Sequence, residues 1–152
     1  MILKKKYTTL NDALKLFRLQ VIESINFLNK NFEPEGLNPE EIFNYLKKNT
    51  TYIKDPKGVE LFQTYQTFFY KNFHGMPGAG DCDCFTIAAL AELYFNNYRD
   101  IGIVLVGRSR IKPVHIYAYV KNGSEYNYLD LTNKVFNFER NYPYRQHIPL
   151  KI

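Results

Sequence analysis

The sequence predicts an α+β fold, with helices first and an antiparallel sheet after them. Three observations predict it. Apolar residues recur at helical spacing through the first fifty positions. An Ala- and Leu-rich segment follows a glycine-rich loop near the middle. Beyond residue 100 the pattern changes to short apolar runs and strict alternation, with a hairpin signal between two of them.

The first helix is carried by Leu10, Leu14, Phe17, Val21, Ile25 and Leu28, which share one face at 3.6 residues per turn. Thr9 with Asp12 resembles a capping box at its start. A turn follows at Phe32-Glu33-Pro34-Glu35-Gly36. The second helix has Asn38 as cap and Pro39 in its first turn, with Glu40 and Glu41 against the dipole. Ile42, Phe43 and Leu46 form its apolar side, and Lys47 and Lys48 lie near its end.

Asp55-Pro56-Lys57-Gly58 reads as a turn. Residues 59–73 are dense in Phe and Tyr, and their pattern fits a helix or irregular chain. Residues 74–80, His74-Gly75-Met76-Pro77-Gly78-Ala79-Gly80, are expected to form a special loop with no regular structure. A strong helix is expected over residues 85–97, with Asp81 as a cap ahead of it.

The run at 101–107 suits a buried strand. Residues 114–121 alternate through Val114, Ile116, Ala118 and Val120. Asn122-Gly123 is a hairpin signal, which makes residues 125–131 the return strand. A last strand is expected near 147–152. The whole is read as one domain over residues 1–152, with a helical part (1–49) and a core (50–152).

The 152 residues are enough for one domain with a substantial core, and an apolar content of 45% excludes general disorder. The 13 Tyr and 12 Phe, with no Trp, imply a core rich in rings. The net charge of +5 is spread over both halves, which argues against a nucleic-acid surface. The one dense basic run, Lys4-Lys5-Lys6, reads as a solvated end. No stretch approaches the ~20 apolar residues of a membrane span. The start lacks the apolar run of a signal peptide, so synthesis in the cytoplasm is expected, with a virion as the alternative destination.

Cys82 and Cys84 are the only cysteines and lie too close for an unstrained bridge. Their spacing lacks the second pair of a structural zinc site, so neither a metal nor a cofactor is expected. Cys82 follows the glycine loop at the head of a helix. Unpaired backbone N–H groups and the helix dipole there are expected to stabilise a thiolate, and the Cys82 N–H could serve an oxyanion. Gly78 and Gly80 would leave room for a substrate backbone beside Asp81. The charges of Asp81 and Asp83 oppose the thiolate, so a cationic partner is needed.

Among His74, His115 and His147, only His115 sits inside an apolar strand. The hairpin would set Asp130 almost opposite it. That gives a Cys82–His115–Asp130 arrangement of nucleophile, base and orienting acid. Cys84 is expected to be a packing thiol.

Gly80-Asp81-Cys82-Asp83 before an Ala/Leu helix, His115 on one strand and Leu129-Asp130 on the next resemble the transglutaminase-like (papain-like thiol) superfamily, closest to its short microbial and phage-borne members. The likeness reaches upstream through Tyr52-Ile53-Lys54-Asp55-Pro56 and Glu60-Leu61-Phe62-Gln63, and covers residues 50–132. It implies a Cys-bearing helix packed on an antiparallel sheet of about four strands. It also implies thiol-dependent acyl transfer on the amide of a peptide or protein, as peptidase, amidase or crosslinking enzyme. Two departures stand out. Cys84 occupies a position that is usually polar, and there is no Trp for an oxyanion hole. Gln63, with Gln66 in reserve, is the expected substitute. The alternative is a non-catalytic structural or interaction protein keeping the fold, such as a virion or prophage component.

Overall fold

A computed structural model of the chain describes residues 10–57 and 61–152. Expectations resting on the Lys4-Lys5-Lys6 run, the Thr9 cap, Gly58, Val59 and Glu60 lie outside the described residues.

Helix α1 spans Leu10–Asn31 and buries Phe17, Val21, Ile25 and Leu28 of the expected stripe, whereas Leu14 is half-buried and Leu10, in the first turn, is exposed. Helix α2 spans Pro39–Lys48. Its cap is a full capping box: the Glu41 amide donates to Asn38 Oδ1 at 2.8 Å, and the Asn38 amide donates to Glu41 Oε1 at 3.0 Å. A short helix, α3 (Tyr65–Tyr70), resolves the aromatic stretch, with Thr64 as its cap.

Two strands flank α3 in sequence: β1 (Thr51–Tyr52) and β2 (Ala79–Gly80), which pair in parallel. The end of the glycine loop is therefore regular structure, contrary to expectation. The Thr51 amide donates to the Gly78 carbonyl at 2.9 Å and the Ile53 amide to the Gly80 carbonyl at 2.8 Å. A pairing across a long stretch of chain leaves no periodic trace in two residues.

Helix α4 spans Cys82–Phe95 and starts three residues before the expected position, directly after its cap Asp81. It is buried on nearly every side, including Ile87, Ala88, Leu90, Ala91 and Leu93. Each fully buried Leu or Ile contributes about 1.5–3 kcal/mol, so this helix is the centre of the core.

Strands β3 (Ile101–Ser109), β4 (Lys112–Asn122), β5 (Glu125–Leu129) and β6 (Tyr144–Pro149) form a four-stranded antiparallel sheet in the order β5-β4-β3-β6. The last strand begins three residues before its expected start. Ile101, Ile103, Leu105, Ile116, Ala118, Val120 and Leu129 join the helices in one core. Val104, Val106, Tyr117 and Tyr119 make a second cluster with Tyr126, Tyr128 and Tyr142. The fold is thus helices followed by an antiparallel sheet, as the pattern predicts. No helix among the described residues is long and apolar enough to cross a membrane.

The β4–β5 hairpin turns one residue later than Asn122-Gly123 suggests. Asn122 pairs with Glu125, and Gly123, with a φ of 64°, takes the first loop position. Shifting a two-residue loop by one position moves every partner by two. Side chains keep their face, and only the pairing slides.

Candidate functional site

Asp81 starts the site. Its side chain accepts from the Asp83 amide at 3.3 Å, which caps α4 and fixes the head of the helix. Cys82 is the first helical residue. The first turn of α4 is tied to β4 by Thr86, whose hydroxyl is 2.7 Å from the Cys82 carbonyl and 3.2 Å from the Ile116 carbonyl. Thr86 thus brings the head of α4 against β4 at Ile116, the residue next to His115.

Val106 pairs with His115 but Gly107 pairs with Pro113, so Val114 is an extra residue in β4. This bulge adjoins His115, and a bulge re-aims the side chain beside it. The His115 ring lies 5.6 Å from the Tyr117 ring and 6.2 Å from the Tyr142 ring. Its Nε2 is 2.8 Å from Asp130 Oδ2.

Asp130 is 3% exposed and held from several directions. The Thr132 hydroxyl donates to its Oδ1 at 2.7 Å and the Thr132 amide at 3.1 Å. Asn133 Nδ2 reaches Oδ2 at 3.3 Å. Arg140 closes the ring, with Nε on Asn133 Oδ1 at 2.9 Å and Nη2 on Thr132 Oγ1 at 3.1 Å. Burial pushes the Asp130 carboxyl up, but the bonds from His115 and Thr132 outweigh it and hold it below the usual carboxylate range. An ionised Asp130 accepts from Nε2–H, which leaves the His115 Nδ1 lone pair for another proton.

The thiol contradicts one expectation. Burial pushes the Cys82 thiol well above its usual range, and the charges of Asp83 and Asp81 push it further. A helix head lowers a thiol only where its field exceeds the desolvation of the charged form. Here it does not. Asp81 itself is pushed up to about 9, by burial first and then by Asp83 and Asp55. Asp81, Cys82 and Asp83 also offer three ligand atoms within 4.8 Å of one another, the one such group able to hold a metal ion among the described residues.

The glutamines expected near an oxyanion are placed elsewhere. Gln63 is fully buried. Its Nε2 donates to the Ala79 carbonyl at 3.2 Å and faces Cys84 Sγ at 3.6 Å, while its Oε1 accepts from the Phe73 amide. Gln66 lines a different cavity, with Phe27, Phe32 and Tyr70. The side chain of Gln63 locks β2 and the glycine loop onto the core instead. Cys84 is fully buried, its thiol donating to the Leu61 carbonyl at 3.2 Å, and burial pushes it up to about 12. Gly80 faces this cluster: a Cβ there would lie 2.9 Å from both Cys84 Cβ and Phe68 Cε1. Close packing, not substrate access, accounts for that glycine.

His147 bonds to the Tyr128 hydroxyl at 2.9 Å within the tyrosine cluster. Thr132, Asn133 and Arg140 were not picked out from the sequence. Thr132 and Asn133 directly follow Asp130, a signal that could have found them. Arg140 carries none. A cavity of about 340 Å³ opens at His115, lined by Lys47, Thr50, Tyr52, Phe85, Leu131, Thr132 and Arg140.

No family model matches the chain, and no curated protein matches it. Among solved structures, one described as "Crystal structure of a TGase" is similar over 90% of this chain, with 13% identity and a TM-score of 0.38. This chain spans 37% of that protein's length.

Proposed function

We propose that this chain is a transglutaminase-like, papain-like thiol protein, one domain over residues 1–152, which performs acyl transfer on peptide or protein amides. Cys82 is the nucleophile, His115 the base and Asp130 the orienting acid. The supporting observation is the His115–Asp130 pair, with Nε2 2.8 Å from a buried carboxylate, on the strand to which Thr86 ties the first turn of the Cys82 helix. A cysteine nucleophile needs a base oriented in this way.

His115 Nδ1 takes the thiol proton as Sγ attacks the amide carbonyl. The S–C bond forms, the C–N bond breaks, and the leaving amine carries the proton away. Water then cleaves the thioester to an acid and restores the thiol, or a second amine takes the acyl group. The Cys82 backbone N–H is the oxyanion donor of this reading. Two unpaired thiols suit a reducing compartment.

The buried, raised thiol favours a second reading, a non-catalytic structural or interaction protein with the same fold. Intact-mass spectrometry after exposure to peptide amides and p-nitrophenyl esters separates them. Acyl transfer predicts an adduct on Cys82 that is absent in Cys82→Ala and reduced in His115→Ala. No adduct from any donor, or one of equal yield in His115→Ala, supports the non-catalytic protein.

A further inference from the structure

The cavity at His115 has a pronounced electrostatic polarity. Among the described residues that line it, Lys47 and Arg140 carry the ionic side chains and none is a carboxylate. Lys47 Nζ donates to the Leu131 carbonyl at 2.8 Å. Arg140 donates to the Thr132 carbonyl and hydroxyl and to the Asn133 side chain. All of these acceptors are neutral, and the two ion pairs among the described residues are His115–Asp130 and Arg145–Glu139. Among the described residues, neither cation has a carboxylate within ion-pair distance. The Thr132 hydroxyl alone bridges the Arg140 guanidinium and the His115 ring, at 3.1 Å and 3.5 Å. The acids Asp81 and Asp83 flank the thiol, each with a ligand atom within 4.8 Å of its sulfur. Thr50 and the Tyr52 ring complete a wall of mixed polarity.

An acyl donor attacked at Cys82 and reaching into this cavity meets Lys47 and Arg140 beside the imidazole. We propose that the site selects acidic peptides, with a substrate carboxylate next to the scissile amide lying between Lys47 and Arg140. Two cations in one wall favour a carboxylate over a neutral group of the same shape, and the Asp83 charge near the thiol disfavours the reversed orientation. This inference rests on the Cys82–His115 reading above.

The test uses an isosteric pair of thiol reagents, acetyl-glutamyl and acetyl-glutaminyl chloromethyl ketone. Each alkylates Cys82 with loss of chloride, and the pair differs only in the side-chain carboxylate. The expected ratio of labelling rates, anionic over neutral, is about tenfold in the wild-type protein, and it falls with added salt. Lys47→Gln and Arg140→Gln should each bring the ratio towards one. Arg140→Lys should hold it above Arg140→Gln, and Lys30→Gln, outside the cavity, should leave it unchanged. A wild-type ratio of one or below, or a ratio indifferent to both glutamine variants, overturns the acidic substrate and leaves the nucleophile standing. Failure of both reagents to label Cys82, or labelling independent of His115, overturns the nucleophile and the substrate class with it.

Discussion

His115 Nε2 lies 2.8 Å from Asp130 Oδ2 although the two residues are diagonal, not directly paired, across the β4–β5 hairpin. Diagonal neighbours on one face are within reach of a long side chain. Asp130 sits just past the end of β5, where Thr132 and Asn133 turn back to hold its carboxylate. The pair is thus built by a strand end and the turn after it.

Asp130→Asn should separate orientation from packing. An amide can donate to Nε2 and so favour the tautomer with a protonated Nδ1, which cannot take a thiol proton. The His115-dependent part of Cys82 alkylation should fall by about a hundredfold, with little loss of fold. Stability should respond to pH with a defined sign. Asp130 is held below its unfolded value, so its contribution is present above the ordinary carboxylate range and lost as pH falls through it. Urea unfolding near neutral and near acid pH should show a shallower acid loss in the variant. An unchanged acid limb would mean that Asp130 is not held ionised.

Asp81 should behave in the opposite sense. Its carboxyl is raised from 3.8 to about 9, chiefly by burial, with Asp83 and Asp55 adding to it. The native state then holds a proton that the unfolded chain releases, so stability falls as pH rises through that window. Asparagine caps a helix as well as aspartate does and carries no charge. Asp81→Asn should be more stable than wild type at slightly alkaline pH, by about 1–2 kcal/mol, with a flatter profile between the two values. Parallel profiles would sink the idea.

Part of this arrangement was legible from residue types alone. A glycine loop and a cap marked Cys82 as the head of a helix, and His115 stood out as ionisable inside an apolar strand. Asp130 followed from a hairpin signal, and it survived a one-residue error in the turn because the side-chain period is two. What escaped was non-local. Arg140 reaches Thr132 and Asn133 from an irregular segment, and Gln63 turns inward to Ala79 and Cys84. The Cys82 thiol was misjudged for a related reason: burial depends on what covers a residue, and no motif encodes that.

Two glycines of the same loop should differ sharply. Gly78 and Gly75 both have positive φ, 75° and 73°. A Cβ on Gly78 would fall 2.0 Å from the Asn49 carbonyl oxygen, whereas one on Gly75 would meet nothing within 4 Å. Gly75→Ala should cost only the conformational strain, about 1 kcal/mol. Gly78→Ala should cost about 3 kcal/mol or more, because β2 must leave β1 to relieve the clash. Paired urea titrations decide it: equal losses would mean that strain alone sets the cost.

The state of the resting thiol decides how His115 would act. With Cys82 raised by burial, Asp83 and Asp81, a preformed thiolate–imidazolium pair is disfavoured. Proton removal must then accompany attack, and His115 works as a general base in the rate-limiting step. Alkylation of Cys82 by neutral iodoacetamide should therefore be slower in heavy water and should lose about tenfold or more in His115→Ala. Asp83→Asn should speed it by a few-fold, by removing a charge that opposes the developing thiolate. Cys84, fully buried, should stay unlabelled until the protein unfolds. A preformed ion pair gives a different pattern: no slowing in heavy water, and a rate indifferent to the charge at Asp83. The two patterns cannot be confused, because one moves a proton during attack and the other has moved it already.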